Sequence, residues 1–377
     1  MSGVWDDVVG QERALDSLKA AVADPTAMTH AWLITGPPGS GRSHAARAFA
    51  AALQCADGGC GECQACRQVS GGSHPDVTRV ATEKVTISID EVRDLIGAAQ
   101  QAPSQGRWRV IIIEDADRMT ERTSNVLLKS IEEPPPRTVW LLCAPSSQDV
   151  AVTIRSRCRA VSLVTPSPDS VAELLVERDG VAPQVALEAA RAAQSHIGVA
   201  RRLARDPQAR ARRDQVLALA TDIRGVGDAV LAAADLVAVA EEDAKAVSEE
   251  RDGAERAELM AALGADESGR LPPALRSQVR QLEDDQKRRA TRMKRDVLDR
   301  AILDLMSLYR DVACVQVGAS VHLVNESHRG HIESLAARTT LADTVRCLDA
   351  LGTARTRLAG NVAPLLAMEA MTLALRP

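Results

Sequence analysis

Aromatic side chains are nearly absent: the 377 residues hold four Trp, one Tyr and one Phe. A surface that grips single-stranded nucleic acid by base stacking needs several exposed rings in series, and this chain cannot supply them. A positive surplus is missing too. The formal net charge of −5 excludes a surface that is basic all over and allows only a local basic patch. Any contact with DNA is therefore expected to be shared with partners. No run of about 18 apolar residues occurs, so no membrane-spanning helix is expected. Met1–Gly10 is charged and short of apolar residues, which predicts no secretory signal and a cytoplasmic protein. What remains, 45% hydrophobic and 26% charged, suits a globular chain of two or three domains.

Up to about residue 165 strand and helix signals alternate. Apolar or β-branched runs at His30–Thr35, Val85–Ile89, Arg109–Ile113, Val139–Cys143 and Ala160–Val164 predict strands, with helices over Arg42–Leu53, Asp90–Gln101 and Arg122–Glu132. Strands separated by helices of this length imply an α/β fold, a mostly parallel sheet covered on both faces. Beyond Pro166 only helical patterns remain. Asp169–Arg178, Pro183–Gln194 and Gly198–Asp206 form a compact unit opening at a Ser167–Pro168 cap. The boundaries expected are 1–165, a small helical domain over 166–222, and an all-helical domain over 223–377. Within the last, residues 241–295 mix opposite charges and read as solvated helix with a flexible break near Gly264–Pro273.

Three clusters carry chemistry. Gly36-Pro37-Pro38-Gly39-Ser40-Gly41-Arg42-Ser43 lies between a strand and a helix and matches G-x-x-x-x-G-K-[ST] except that Arg42 replaces Lys. Such a turn presents backbone N–H groups and a helix N-terminus to phosphate oxygens, and Ser43 has the hydroxyl a Mg²⁺ ion needs. A guanidinium is wider than an ammonium and displaces a γ-phosphate, so ATP with Mg²⁺ is compatible with the turn while turnover is disfavoured. Secondly, Glu114 and Asp115 end the run Val110–Ile113, where ligands bind in open α/β sheets. P-loop ATPases want Asp and then Glu at this place; the reversed order moves each carboxylate by about 1.5 Å. Thirdly, four of the eight Cys crowd into Cys55-x₄-Cys60-x₂-Cys63-x₂-Cys66, with Gly58, Gly59 and Gly61 between them. Four thiolates at this spacing suit a structural tetrahedral Zn²⁺, with an iron–sulfur cluster as the alternative; the downstream Cys-Pro of ferredoxins is missing. Cys143, Cys158, Cys314 and Cys347 are read as unpaired and buried.

These clusters stand in order with Trp5–Gln11 (WDDVVGQ), His74-Pro75-Asp76, Leu127–Pro135 (LLKSIEEPP) and Thr153–Cys158 (TIRSRC). Together they resemble the AAA+ clamp-loader subunits of bacterial DNA polymerase III, over most of residues 1–206 and more weakly in the C-terminal helices. The resemblance implies a P-loop AAA+ domain, a helical lid and a helical collar that joins a hetero-pentamer with motor (gamma/tau-type) and delta-type subunits. It also implies a sliding clamp and primer-template DNA as partners of the whole complex. In that family the arginine of Ser-Arg-Cys reaches the γ-phosphate held by a neighbour; here it is Arg157. Gly198-Val199-Ala200-Arg201 resembles the lid sensor whose arginine, here Arg201, meets the subunit's own nucleotide. Arg42, the Glu114–Asp115 order and Ala144-Pro145 at a position where motor subunits carry a polar residue all depart from the motor pattern. So does the stop at Pro377, where motor subunits often carry a tail. The pattern is that of the non-motor, delta-prime branch. An ATP-hydrolysing motor and a zinc-bearing adaptor that binds no nucleotide are the alternatives.

Overall fold

The computed structural model describes residues 3–24, 26–82, 86–262, 276–360 and 362–376, which divide into two compact units, Met1–Arg205 and Asp206–Pro377. In the first, α1 (Glu12–Ala23) precedes β1 (Ala31–Thr35), α2 (Arg42–Gln54) and α3 (Gln64–Ser70). There follow β2 (Val77–Val80), α4 (Ile89–Ala99), β3 (Arg109–Ile113), α5 (Glu121–Glu132), β4 (Thr138–Ala144), α6 (Val152–Arg155) and β5 (Arg159–Ser162). The five strands form one parallel sheet in the order β2-β3-β4-β1-β5.

Because successive side chains alternate between faces, each central strand feeds two cores. Trp32, Ile34, Val110, Ile112, Leu141 and Cys143 face α1 and α2, where Phe49 meets Trp32 edge-on at 5.2 Å. Leu33, Ile111, Ile113, Trp140 and Leu142 face α4 and α5. Burial on both faces is why these strands read as unbroken apolar runs. The sheet order, the helices on both faces and the glycine-rich turn after β1 make this an α/β domain with a parallel sheet and a phosphate-loop-like turn at its carboxyl edge.

One expected strand is displaced. Over the described part of Val85–Ile89, Ile87 makes a single bridge to Met119 and Ser88 caps α4 in a capping box with Glu91. The sheet strand is Val77–Val80 instead, pairing with β3. A Ser-x-x-Glu capping box ends an extended run by starting a helix, and that signal outweighs the β-branched run before it.

The helices α7 (Pro168–Asp179), α8 (Pro183–Ala192) and α9 (Ile197–Arg205) complete the first unit, with Ser167 Oγ accepting from Ser170 N as the cap of α7. The second unit is helical: α10 (Pro207–Asp222), α11 (Val226–Ala262), α12 (Arg276–Gln316), α13 (Arg329–Arg338), α14 (Leu341–Ala359) and α15 (Pro364–Ala374). Its core runs along Leu298, Ile302, Leu305, Leu308 and Val312 of α12, spaced three and four apart. In the charged segment opposite signs pair across α11 and α12, Arg289 with Asp252 at 2.8 Å and Arg256 with Glu283 at 3.2 Å. The break expected near Gly264–Pro273 lies outside the described residues. No described helix is long and apolar enough to cross a membrane.

Candidate nucleotide site and metal centre

The turn after β1 sits at the carboxyl edge of the sheet, where Gly36 N lies 3.3 Å from the carbonyls of Ala144 and Pro145. Gly39 and Gly41 take φ of +84° and +91°, and Gly41 is the N-cap of α2, which no side chain caps. Uncapped N–H groups at a helix start, approached by a left-handed glycine turn, are the donors an anion needs. Ser40 Oγ is buried without a protein hydrogen bond. Ser43 is half-buried on the first turn of α2.

Arg42 does not extend from the turn. Its Nη1 donates to the Gly36 carbonyl, so the guanidinium folds back over its own loop. Burial lowers its pKa against the fields of Cys143, Asp117 and Asp115. Arg42 is therefore the cation between the turn and the acidic strand end. Asp115 lies 3.7 Å from Arg118. Burial raises the pKa of Asp117, two residues further on, with Asp115 adding to the rise. Glu114 points the other way: its Oε1 is 3.6 Å from Arg79 of β2. At the end of β4, Ala144-Pro145 offers no side-chain donor, and Ser146 Oγ accepts from Gln148 N at 3.2 Å.

On the α9 side the turn meets His196 and Ile197, which the motifs did not single out. A Cβ at Gly39 would fall 2.4 Å from His196 Cγ and 2.6 Å from His196 Cα, so the backbone of the turn touches the start of α9. Ile197 N approaches the Gly39 carbonyl at 3.5 Å. Arg201, a turn further along α9, pairs with buried Asp179 at 2.8 Å, which Arg178 also approaches at 3.2 Å. His44, beside Ser43, is held towards its neutral form: burial lowers its pKa and Arg47 pushes the same way, with Asp7 opposing.

Arg157 stands apart from this turn, just past α6. Its Nε is paired with Glu132 at the end of α5, and its Nη1 donates to Thr153 O at 2.7 Å and Ser156 Oγ at 3.2 Å. The two motifs that carry these residues thus meet on one surface.

The four cysteines converge. All four sulfurs lie within 4.8 Å of one another, with Cys55–Cys60 at 3.7 Å and Cys55–Cys63 at 3.8 Å. Sulfurs on a tetrahedron with bonds of about 2.3 Å sit about 3.8 Å apart, so the spacing suits a tetrahedral ion. Gly58, Gly59 and Gly61 all have positive φ, and a Cβ at Gly59 would lie 2.6 Å from Val4 Cγ2. Burial works to raise the Cys55 pKa, but N–H groups of Cys60, Gly59 and Asp57 outweigh it and bring it down to about 6. Burial pushes Cys66 up, with the Cys63 and Cys55 sulfurs adding to the rise. Four thiols in this arrangement can hold one metal ion with no open position. Of the other cysteines, Cys143 and Cys347 are buried and Cys158 and Cys314 only partly so.

Asp76 of His74-Pro75-Asp76 is fully buried and accepts from Ser104 N (2.7 Å), Ser104 Oγ (2.9 Å), Gln105 N (2.8 Å) and Gly106 N (2.7 Å). Arg109 Nη1 lies 3.5 Å from it. Gln54, the residue before Cys55, accepts from Arg107 N at 3.0 Å and donates to Trp108 O at 2.6 Å. This carboxylate and this amide anchor one loop beneath the end of α2.

Residues 10–167 match the family model described as DNA polymerase III, delta subunit. The chain is 40% identical over 151 residues to the DNA polymerase III subunit delta' of Pseudomonas aeruginosa, covering 38% of this chain and 45% of that one. It is 35% identical over 159 residues to the DNA polymerase III subunit tau of Bacillus subtilis, covering 41% and 28%. The chain thus spans less than half the length of these relatives. Among solved structures, a DNA polymerase III gamma subunit-related protein of Thermotoga maritima aligns over 92% of this chain and 99% of its own, at 15% identity and a TM-score of 0.37. That superposition is too loose to bear on function.

Proposed function

With residues 10–167 carrying a domain of the DNA polymerase III clamp-loader family, we propose that this chain is a non-motor subunit of the delta-prime type, which completes a neighbour's ATP site. The observation that carries the reading is a contrast between two arginines. Arg42 is folded onto Gly36 inside its own turn, whereas Arg157 lies on the surface, braced by Glu132, Thr153 and Ser156. A motor needs the first cation on its nucleotide; a trans-acting subunit needs the second on its neighbour's. Glu114 turned towards Arg79 and the apolar Ala144-Pro145 further support weak or absent turnover in this chain.

In this reading Gly36, Gly39, Gly41, Arg42 and Ser43 receive a nucleotide, with Asp115 beside its Mg²⁺ and Glu114 displaced from it. Arg201 faces that nucleotide only after leaving Asp179. Cys55, Cys60, Cys63 and Cys66 hold one zinc ion, which cross-links the segment after α2. Residues 1–165, 166–222 and 223–377 act as nucleotide-binding domain, lid and collar, and the collar joins motor and delta-type subunits in a hetero-pentamer. The complex opens the sliding clamp and places it on primer-template DNA.

Arg157 contributes positive charge where phosphoryl transfer builds negative charge, an effect worth roughly 10³–10⁵ in rate elsewhere. The test is ATP turnover by a motor subunit reconstituted with this chain, wild type against Arg157→Ala. A loss of at least tenfold is expected; an unchanged rate refutes the role. The match to a tau subunit favours one competing reading, a motor. Robust turnover by the purified chain, abolished by Arg42→Ala, decides for it.

A further inference from the structure

The Leu127–Pro135 motif carries a carboxylate that the nucleotide turn does not use. The helix α5 ends at Glu132 with Glu133 as its C-cap, against one cation, Lys129, in the same turn. A helix C-terminus disfavours negative charge, so α5 itself gains nothing from a carboxylate there. Glu132 is instead paired with Arg157 Nε. Both ends of this pair are fixed to the core. Ile131, one residue before Glu132, and Ile154, three before Arg157, are fully buried in the same cluster. Arg157 N donates to Ile154 O at 3.0 Å, which ties the arginine's backbone to that anchor.

The pairing engages only part of the guanidinium. Its Nε donates to Glu132, and its Nη1 donates to Thr153 O and Ser156 Oγ. Among the described residues the two N–H groups of Nη2 meet no acceptor. Arg201 is held differently: its Nε and Nη2 both face Asp179, at 3.0 Å and 2.8 Å, and that side chain is 3% exposed. An anion gains Nη2 of Arg201 only by displacing Asp179, whereas it gains Nη2 of Arg157 with Glu132 still in place. Resting on the trans-acting reading of Arg157, we infer that Glu132 is the positioning residue of that arginine. It fixes the plane of the guanidinium through Nε and leaves Nη2 free to donate to a phosphate held by a neighbouring subunit.

An unbraced arginine samples several rotamers, and a displacement of about 1 Å at a reacting centre costs on the order of 100-fold in rate. Thr153 O and Ser156 Oγ stay behind in Glu132→Ala, so a loss of about tenfold is expected. A carboxylate that merely neutralised Arg157 has the opposite signature, a faster rate once it is removed.

Steady-state ATP turnover by a motor subunit reconstituted with the full chain measures the effect. Glu132→Ala is expected to lower kcat about tenfold with KM for ATP unchanged, and Glu132→Gln, whose Oε1 still accepts from Nε, to restore most of it. Glu132→Ala combined with Arg157→Ala should turn over no more slowly than Arg157→Ala alone, a non-additivity that a general structural role does not produce. Glu132 is exposed at a helix end, so the urea midpoint of Glu132→Ala stays at the wild-type value. Unchanged or raised kcat in Glu132→Ala, with turnover lost in Arg157→Ala, overturns the positioning role alone. So does a further loss in the double variant. Unchanged turnover in Arg157→Ala overturns the trans-acting reading and the positioning role with it.

Discussion

Asp76→Asn removes the charge at the most heavily hydrogen-bonded carboxylate described above, and its cost can be worked from the structure. Burial alone raises the pKa of Asp76, but hydrogen bonds from Gly106, Ser104 and Gln105 override it and hold the group at about 2, against 3.8 for an ordinary aspartate. That difference amounts to about 2 kcal/mol of stability at neutral pH. The amide also turns a donor towards the N–H groups of the 104–106 loop, adding about 1 kcal/mol or more for the unpaired groups. The expected total is about 3 kcal/mol, a large part of a typical domain's stability. The folded pKa is the depressed one, so the charge contribution is present above about pH 4 and is lost as pH falls towards 2, about half of it by pH 3. All four tryptophans, Trp5, Trp32, Trp108 and Trp140, lie in Met1–Arg205, so urea unfolding followed by tryptophan fluorescence reports on the unit that contains Asp76. A gap between wild type and variant below about 1 kcal/mol at pH 7, or one that does not narrow between pH 6 and pH 3, refutes the account.

Two further outcomes follow from the same geometry. Elemental analysis should find about one zinc ion per chain, and Cys63→Ser should lose both the ion and part of the tryptophan-reported stability, while Cys314→Ser keeps both. Metal retained at wild-type level by Cys63→Ser would contradict the four-thiolate site. Gly39→Ala meets His196 at 2.4 Å as well as a φ of +84°, whereas Gly72→Ala meets only a φ of +73° in open space. The first should cost on the order of 2 kcal/mol more than the second in urea unfolding; equal costs would mean that the start of α9 does not press on the turn.

Where the chemistry depends on neighbours in sequence, residue order was enough to read it. The central strands were legible because burial on both faces leaves unbroken apolar runs such as Val110–Ile113. The glycine turn and the four cysteines were legible because each is built by residues a few positions apart, whose spacing is itself the geometry. The strand expected at Val85–Ile89 was misplaced because β2, with the pattern Val77-Thr78-Arg79-Val80, is only partly buried and takes its identity from pairing with β3. Its local signal is weak, and the partner that stabilises it lies 33 positions downstream at the first register pair, Val77 with Val110.

Contacts between distant residues were decided by the tertiary structure alone. That Glu132 braces Arg157, that His196 presses on Gly39, and that Asp179 holds Arg201 are each contacts between residues 22 to 157 positions apart. Sequence determined which charges and turns exist, because those are covalent facts. Which charge meets which depends on how the helices pack, since electrostatic and steric contacts act through space and residue order does not measure that distance.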